Sequence, residues 1–354
     1  MTAIATGDHV LVAHSVGLVL GSEIAPEQLR PMVVAAEQAG FGEIWLSEDC
    51  FFSGGVSGAA IALGATERIP VGLGVVSAVT RHPALLAMEI ATLDRAFPGR
   101  LMPAIGLGVP AWLSQMGLKP ASALGAVRDC VTMLDELLSG EQATSTTTFQ
   151  AENIRLVHPP ERRIPLQTGV AGPKMLQLSG EIAQGTLLSV LAGTDYVRWA
   201  REQIDAGGAR AASAPEPHRV TAFALCAVDE DRAVAKANAR KAVAFYLAAG
   251  GPNAITEAYG ISEELRTLIA DGGFERVLQE MPDSWVEDLA VAGDPDECVS
   301  KIRALFDAGA DRVALFPTPA ENAAATVNAL AAHVLPHFIN AEDRTEEPRH
   351  APSR

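Results

Sequence analysis

No apolar run in this chain of 354 residues reaches the length of about eighteen that a membrane span requires. Met1 to Val10 has no basic segment followed by an apolar block, so a secretion signal is not expected. Positive charge is in short supply. The chain has 27 Lys and Arg against 43 Asp and Glu, a formal net charge of −16. That excludes the broad basic surface on which nucleic-acid binding depends. Cysteine is sparse too: Cys50, Cys130, Cys226 and Cys298 lie far apart with no C-x-x-C, which argues against disulfides and a zinc site. The motifs G-x-S-x-G, H-E-x-x-H and G-K-[ST] are all missing, so hydrolase and kinase readings lose their support. The expectation is a cytoplasmic protein that acts on a small molecule through local anion sites.

What is present is apolar and periodic. Hydrophobic residues make up 48% of the chain, enough for one large α/β domain or two ordinary ones. Short Val/Ile/Leu runs alternate with helical periodicity. The predicted strands are Val10–Leu20, Glu43–Ser47, Val71–Val76, Leu101–Gly106, Ile164–Thr168, Thr186–Leu191, Val220–Val228 and Arg312–Phe316. A polar, threonine-rich excursion at Ala143–Leu156 reads as a hairpin before the fifth strand, and a helix over Ala320–His337 closes the series. The same alternation suits a doubly wound open sheet. Eight units and a closing helix favour a (β/α)8 TIM barrel over residues 1–339, followed by a polar tail at 340–354. The long, mostly helical connection between the seventh and eighth strands includes an amphiphilic stretch, Ile261–Trp285, suited to covering the barrel mouth or to scaffolding.

Barrel enzymes carry their sites at the C-terminal strand ends. After the fifth strand, Gly169-Val-Ala-Gly-Pro-Lys174 forms a glycine-rich turn that opens a helix on Pro173. The free N–H groups and dipole of such a helix start favour an anion, and Lys174 adds a full charge. Glu48 and Asp49 leave the second strand as adjacent acids beside Phe51 and Phe52, candidates for proton transfer with a salt-bridge role as the alternative. His82, ahead of Pro83, is a further candidate for proton transfer, or a hydrogen-bonded structural residue. Gly106 and Gly108 leave the fourth strand with room for a flat ligand, although G-x-G-x-x-G is absent. Trp112 and Met116 read as packing residues.

These residues, taken in order, resemble the luciferase-like monooxygenase superfamily, and within it the deazaflavin-dependent branch typified by methylenetetrahydromethanopterin reductase. The resemblance rests on Glu37-Gln-Ala-Gly-Phe-Gly-Glu-Ile-Trp45, Thr80-Arg-His-Pro83 with Ala91-Thr-Leu-Asp94, Pro98-Gly-Arg100, Val170-Ala-Gly-Pro-Lys-Met-Leu176 with Gly180-Glu-Ile-Ala183, Val291-Ala-Gly-Asp-Pro-Asp-Glu297 and Gly309-Ala-Asp-Arg312. It implies a homodimeric (β/α)8 barrel that moves a hydride between coenzyme F420 and a small organic substrate. The cofactor phosphate would lie near Gly108, Val109, Gly169, Ala171, Gly172, Pro173 and Lys174. A bulge with a non-prolyl cis peptide near Gly74, Val75, Val76 and Ser77 would support the ring from behind. Many relatives carry Asp-His after the second strand where this chain has Glu48-Asp49, which leaves the substrate open. An FMN-dependent monooxygenase and a non-catalytic flavin-binding barrel are the alternatives.

Overall fold

The computed structural model describes residues 14–211 and 217–339. Its strands are β1 (Ser15–Leu20), β2 (Ile44–Leu46), β3 (Val71–Ser77), β4 (Leu101–Gly106), β5 (Ala143–Thr146), β6 (Gln150–Ile154), β7 (Gln167–Gly169), β8 (Gly185–Leu188), β9 (Arg219–Val228), β10 (Ala290–Gly293) and β11 (Arg312–Pro317). Eight of them pair in parallel in the order β1-β2-β3-β4-β7-β8-β9-β11, and β11 pairs back onto β1. The sheet is therefore closed, as the predicted TIM barrel requires. Strands buried on both faces need no polar alternation, and β2 and β8 are buried at every position. The antiparallel β5-β6 pair is the hairpin expected before the fifth barrel strand.

Among the described residues the structure differs from the sequence reading in several places. Residues 10–13 of the expected first strand, and the tail from Asn340, lie outside the described residues. Barrel strand five is shifted: pairing begins at Gln167, because Leu166 N–H donates to the Gln184 side chain rather than to a strand. The connection after β9 contains β10, which pairs in parallel with the last four residues of β9. A four-residue Ala-Val-Ala-Gly strand is too short to show a period. The closing helix is broken into α, π and 3₁₀ turns between Ala320 and His337. No helix among the described residues is long and apolar enough to cross a membrane.

The N-terminal half of the barrel interior is plugged by a charged cluster. Arg312 of β11 pairs with Glu43, just before β2, at 3.2 Å, and reaches the Met102 sulfur of β4 at 3.3 Å. Side chains from these three strands meet only inside the ring. Glu43 also accepts from Trp45 Nε1 at 2.8 Å. Burial pushes the Glu43 carboxyl up, against the opposing pull of Arg312 and Trp45. Two glycines make the space: a Cβ at Gly17 would lie 2.6 Å from Glu43 Cγ, and one at Gly72 would overlap the Trp45 ring. Removing one partner of a buried pair strands the other charge. Glu43→Ala should therefore lower unfolding stability by about 3–5 kcal/mol in urea titrations, with a smaller loss for Glu43→Gln. Equal stability of Glu43→Ala and the parent would show that the pair does not hold the seam.

Candidate active site

At the opposite, C-terminal end of the strands lies a cavity of about 420 Å³. All eight barrel strands or their exits contribute to its lining, from Val19 of β1 to Phe316 of β11. One wall is backbone and small side chains: Gly74, Val75, Ser77, Gly108, Val109, Gly169 and Ala171. The peptide between Gly74 and Val75 is cis, at the position that the resemblance implied. The β3–β4 register skips Val75, so this residue bulges out of the ladder.

That bulge explains two of the glycines, and packing against Leu187 a third. A Cβ at Gly106 would lie 2.6 Å from Val75 Cγ2, one at Gly169 would overlap Val75 Cγ1, and one at Gly74 would lie 2.8 Å from Leu187 Cδ2. Gly106, expected to make room for a flat ligand, instead makes room for Val75 and does not line the cavity. Val76 is fully buried behind the wall. Gly108 does line the cavity, at a φ of +90° that glycine adopts without strain. Ser77 fixes this turn by donating to the Leu107 carbonyl at 2.6 Å.

Below the wall runs the helix Pro173–Ile182, capped by Gly172. Its first turn leaves the Lys174 and Met175 N–H groups without intrahelical partners. Met175 lines the cavity, whereas Pro173 and Lys174 are exposed beside it. A Cβ at Gly172 would meet nothing within 4 Å, so the space before the helix start is open. Two supports hold this segment. Tyr196 donates to the Ala171 carbonyl at 2.7 Å. A buried ladder joins Thr168 to Ser179 (2.6 Å), Ser179 to Thr186 (2.6 Å) and Thr186 to His218 (2.8 Å). Burial and Arg201 lower the His218 pKa to about 4, so the ladder ends on a neutral ring at neutral pH.

The facing wall carries the acids. Glu48 Oε2 pairs with Arg81 at 3.0 Å and accepts from Gly55 N–H at 3.1 Å. Asp49 Oδ2 accepts from Ser22 Oγ at 2.6 Å, and its Oδ1 has no partner among the described residues. His82 is not in this cavity. Its Nδ1 accepts from Ala84 N–H at 3.1 Å, capping the helix Pro83–Ala96, and its Nε2 lies 2.9 Å from the Gln150 carbonyl of the hairpin. The structural alternative for His82 is what the geometry supports, since both ring nitrogens are engaged away from the site.

Sequence reading missed four ring-bearing contributors: Trp112, assigned to packing, and Phe223, Tyr246 and Phe316. Tyr246 comes from the helix Arg232–Gly250 rather than from Ile261–Trp285, which contributes no lining residue. Burial, with the Glu23 and Asp49 carboxylates, pushes the Tyr246 hydroxyl up to about 12. The one available signal was an aromatic at the exit of an apolar strand, as in Ala314-Leu-Phe-Pro317.

The fold and this site define a class: a barrel with a bulged third strand and its cavity at the C-terminal strand ends. Residues 8–312 match the family described as luciferase-like monooxygenase, and the chain belongs to that family. It is 29% identical over 283 residues to 5,10-methylenetetrahydromethanopterin reductase of Methanolobus tindarius, covering 78% of this chain and 86% of that one. It is 27% identical to an F420-dependent glucose-6-phosphate dehydrogenase of Microbacterium testaceum, over 81% of this chain and 86% of the other. The solved coenzyme F420 dependent tetrahydromethanopterin reductase from Methanopyrus kandleri superposes with a TM-score of 0.80 at 25% identity, covering 92% of this chain and 99% of that one.

The fit between Val75 and its glycines is open to test. Gly169→Ala should displace Val75, lower the thermal midpoint and impair ligand binding in the cavity. Adding Val75→Ala should restore much of the stability, because the overlapping γ-carbon is gone. Additive losses in the double variant would show that the glycine serves something else.

Proposed function

We propose that this protein is an oxidoreductase that uses coenzyme F420 to move a hydride to or from a small organic substrate. The observation that carries the reading is the two-sided cavity: a neutral backbone wall running to a helix N-terminus, opposite a wall bearing carboxylates. The names of the similar reductase and dehydrogenase support the choice of coenzyme. The residues fit such a group. The wall of Gly74, Val75, Gly108 and Gly169 is flat and uncharged, and the open space before Gly172 faces free N–H groups that suit a phosphate. When bound, the deazaflavin supplies a ring carbon that carries a hydride.

The protein's own residues orient and shield. Val75 backs the wall, and the N–H groups of Lys174 and Met175 hold the anion, with the Lys174 ammonium beside them. Glu48 is fixed by Arg81 and Gly55, so its carboxylate is committed to structure. Asp49 Oδ1 and the Tyr246 hydroxyl, which keeps its proton at neutral pH, are the groups proposed to meet the substrate. Trp112, Phe223 and Phe316 exclude water around them.

The assembly proposed is a homodimer. Leu85 and Met88 are more than half exposed on the helix Pro83–Ala96, and Ile61 is 42% exposed on the helix Gly55–Ala65. Sedimentation should give twice the chain mass, and Met88→Glu should shift the protein to monomer. A monomeric parent would remove this part of the reading.

The coenzyme is checked by titrating the protein separately with F420 and FMN and following quenching of ligand fluorescence. Saturable F420 binding is expected, weakened at least about tenfold in Lys174→Glu through loss and reversal of the anion's neighbouring charge. Tight FMN binding without an F420 response would favour the flavin monooxygenase reading, and no response to either would favour a non-catalytic barrel.

A further inference from the structure

The charges in the cavity are all of one sign. Among the described residues lining it, only Glu48 and Asp49 carry a full charge, and none is Lys, Arg or His. Cys50 adds none, because burial and the two neighbouring carboxylates push its thiol up. Arg81 neutralises Glu48 from outside the cavity. Asp49 has only a neutral hydroxyl, Ser22, as its partner, so its charge is the cavity's surplus. A second cavity of about 440 Å³ shares Val19 and Phe316 with the first. Its charged lining residues are Glu23 and Glu321, again without a cation.

The cavity that Asp49 lines also carries four aromatic rings, those of Trp112, Phe223, Tyr246 and Phe316. Ring faces attract a cation through their quadrupole, most strongly where water is excluded. An anionic substrate would meet like charge with nothing to compensate it. A neutral one would leave Asp49 desolvated without a counter-charge. We propose that the substrate side of this cavity takes an organic nitrogen cation, a protonated amine or iminium with an apolar body, and that Asp49 is its counter-ion. The N–H of such a cation would donate to Asp49 Oδ1, and the apolar body would lie against Val19 and Phe316 toward the second cavity. This assignment rests on reading the cavity as the reaction chamber.

Three small probes of one shape and different charge test it: benzylammonium, benzyl alcohol and phenylacetate. Each is titrated into the full-length protein by ligand-observed NMR, with and without F420. Benzylammonium should bind at least about tenfold more tightly than the alcohol, the strength of one charge-assisted contact in a desolvated site, and phenylacetate should be the weakest. The preference should shrink to less than about threefold in Asp49→Asn, which keeps the shape and removes the charge. Equal or tighter binding of the alcohol or phenylacetate overturns the proposal. So does the absence of saturable ammonium binding, or a preference that survives in Asp49→Asn. The parent comparison stands without the variant, should Asp49→Asn fold poorly. Failure of the two ideas is separable: a protein that binds F420 but ignores charge loses only this inference. One that prefers the ammonium through Asp49 yet binds no F420 loses only the coenzyme reading.

Discussion

The ion pair between Arg312 and Glu43 is the constraint from which the rest of the barrel follows. It joins β11 to the start of β2 from inside the ring, spanning β1, which pairs with both. Closure of a parallel barrel needs its last strand to find the first across nearly the whole chain, and such long-range pairing has to be repaid by tertiary contacts. The pair also sets what stands above it. Glu43 fixes the Trp45 indole, Trp45 packs edge-on against Phe223 with centroids 5.7 Å apart, and Phe223 lines the cavity. A Cβ at Gly74 would touch both Trp45 and Phe223 at 3.0 Å. A charged plug at one end thus supports the backbone wall at the other.

The two walls of the cavity are held by different physics. The glycine wall is shaped by exclusion: Val75 fills the volume that Gly106 and Gly169 leave, and any larger residue there must move it. The helix beside it is held by hydrogen bonds through Ser179, whose hydroxyl sits between Thr168 of β7 and Thr186 of β8. The acid wall depends on charge. Arg81 and Gly55 hold Glu48, and Ser22 holds Asp49. The first wall can be rigid and neutral because its work is to present backbone. The second keeps a half-buried carboxylate open to the cavity, with a hydroxyl rather than a cation beside it.

Much of the architecture was legible because strand burial is a local property of composition. The barrel, its hairpin and the glycine turn at Gly169–Gly172 all follow from apolar runs and turn residues. What stayed hidden depends on contacts distant in sequence. Nothing near His82 announces that its Nε2 will meet the carbonyl of Gln150, sixty-eight positions later. Gly106 looked like room for a ligand because the bulge that brings Val75 across it belongs to another strand. Tyr246 sits on an alanine-rich helix whose period is weak, and only the packing of that helix over the barrel turns the ring inward.

The acid pair shows how one distant residue decides the character of a site. Adjacent carboxylates at a strand exit look equivalent in sequence, and either is a candidate for proton transfer. Arg81 leaves the third barrel strand just before the helix Pro83–Ala96 and is drawn to Glu48 at 3.0 Å rather than to Asp49, with Glu89 at 3.9 Å on its other side. A guanidinium holds its charge throughout the accessible pH range, so Glu48 keeps its partner. Were Arg81 to reach between the two acids instead, neither would be left without a cation. Because it binds Glu48 from outside, that acid becomes part of the frame, and Asp49 is left with only a neutral hydroxyl as its partner. The neutral backbone wall therefore faces one acid held by a cation and one, Asp49, held only by a hydroxyl, and that inequality gives the acid wall its character.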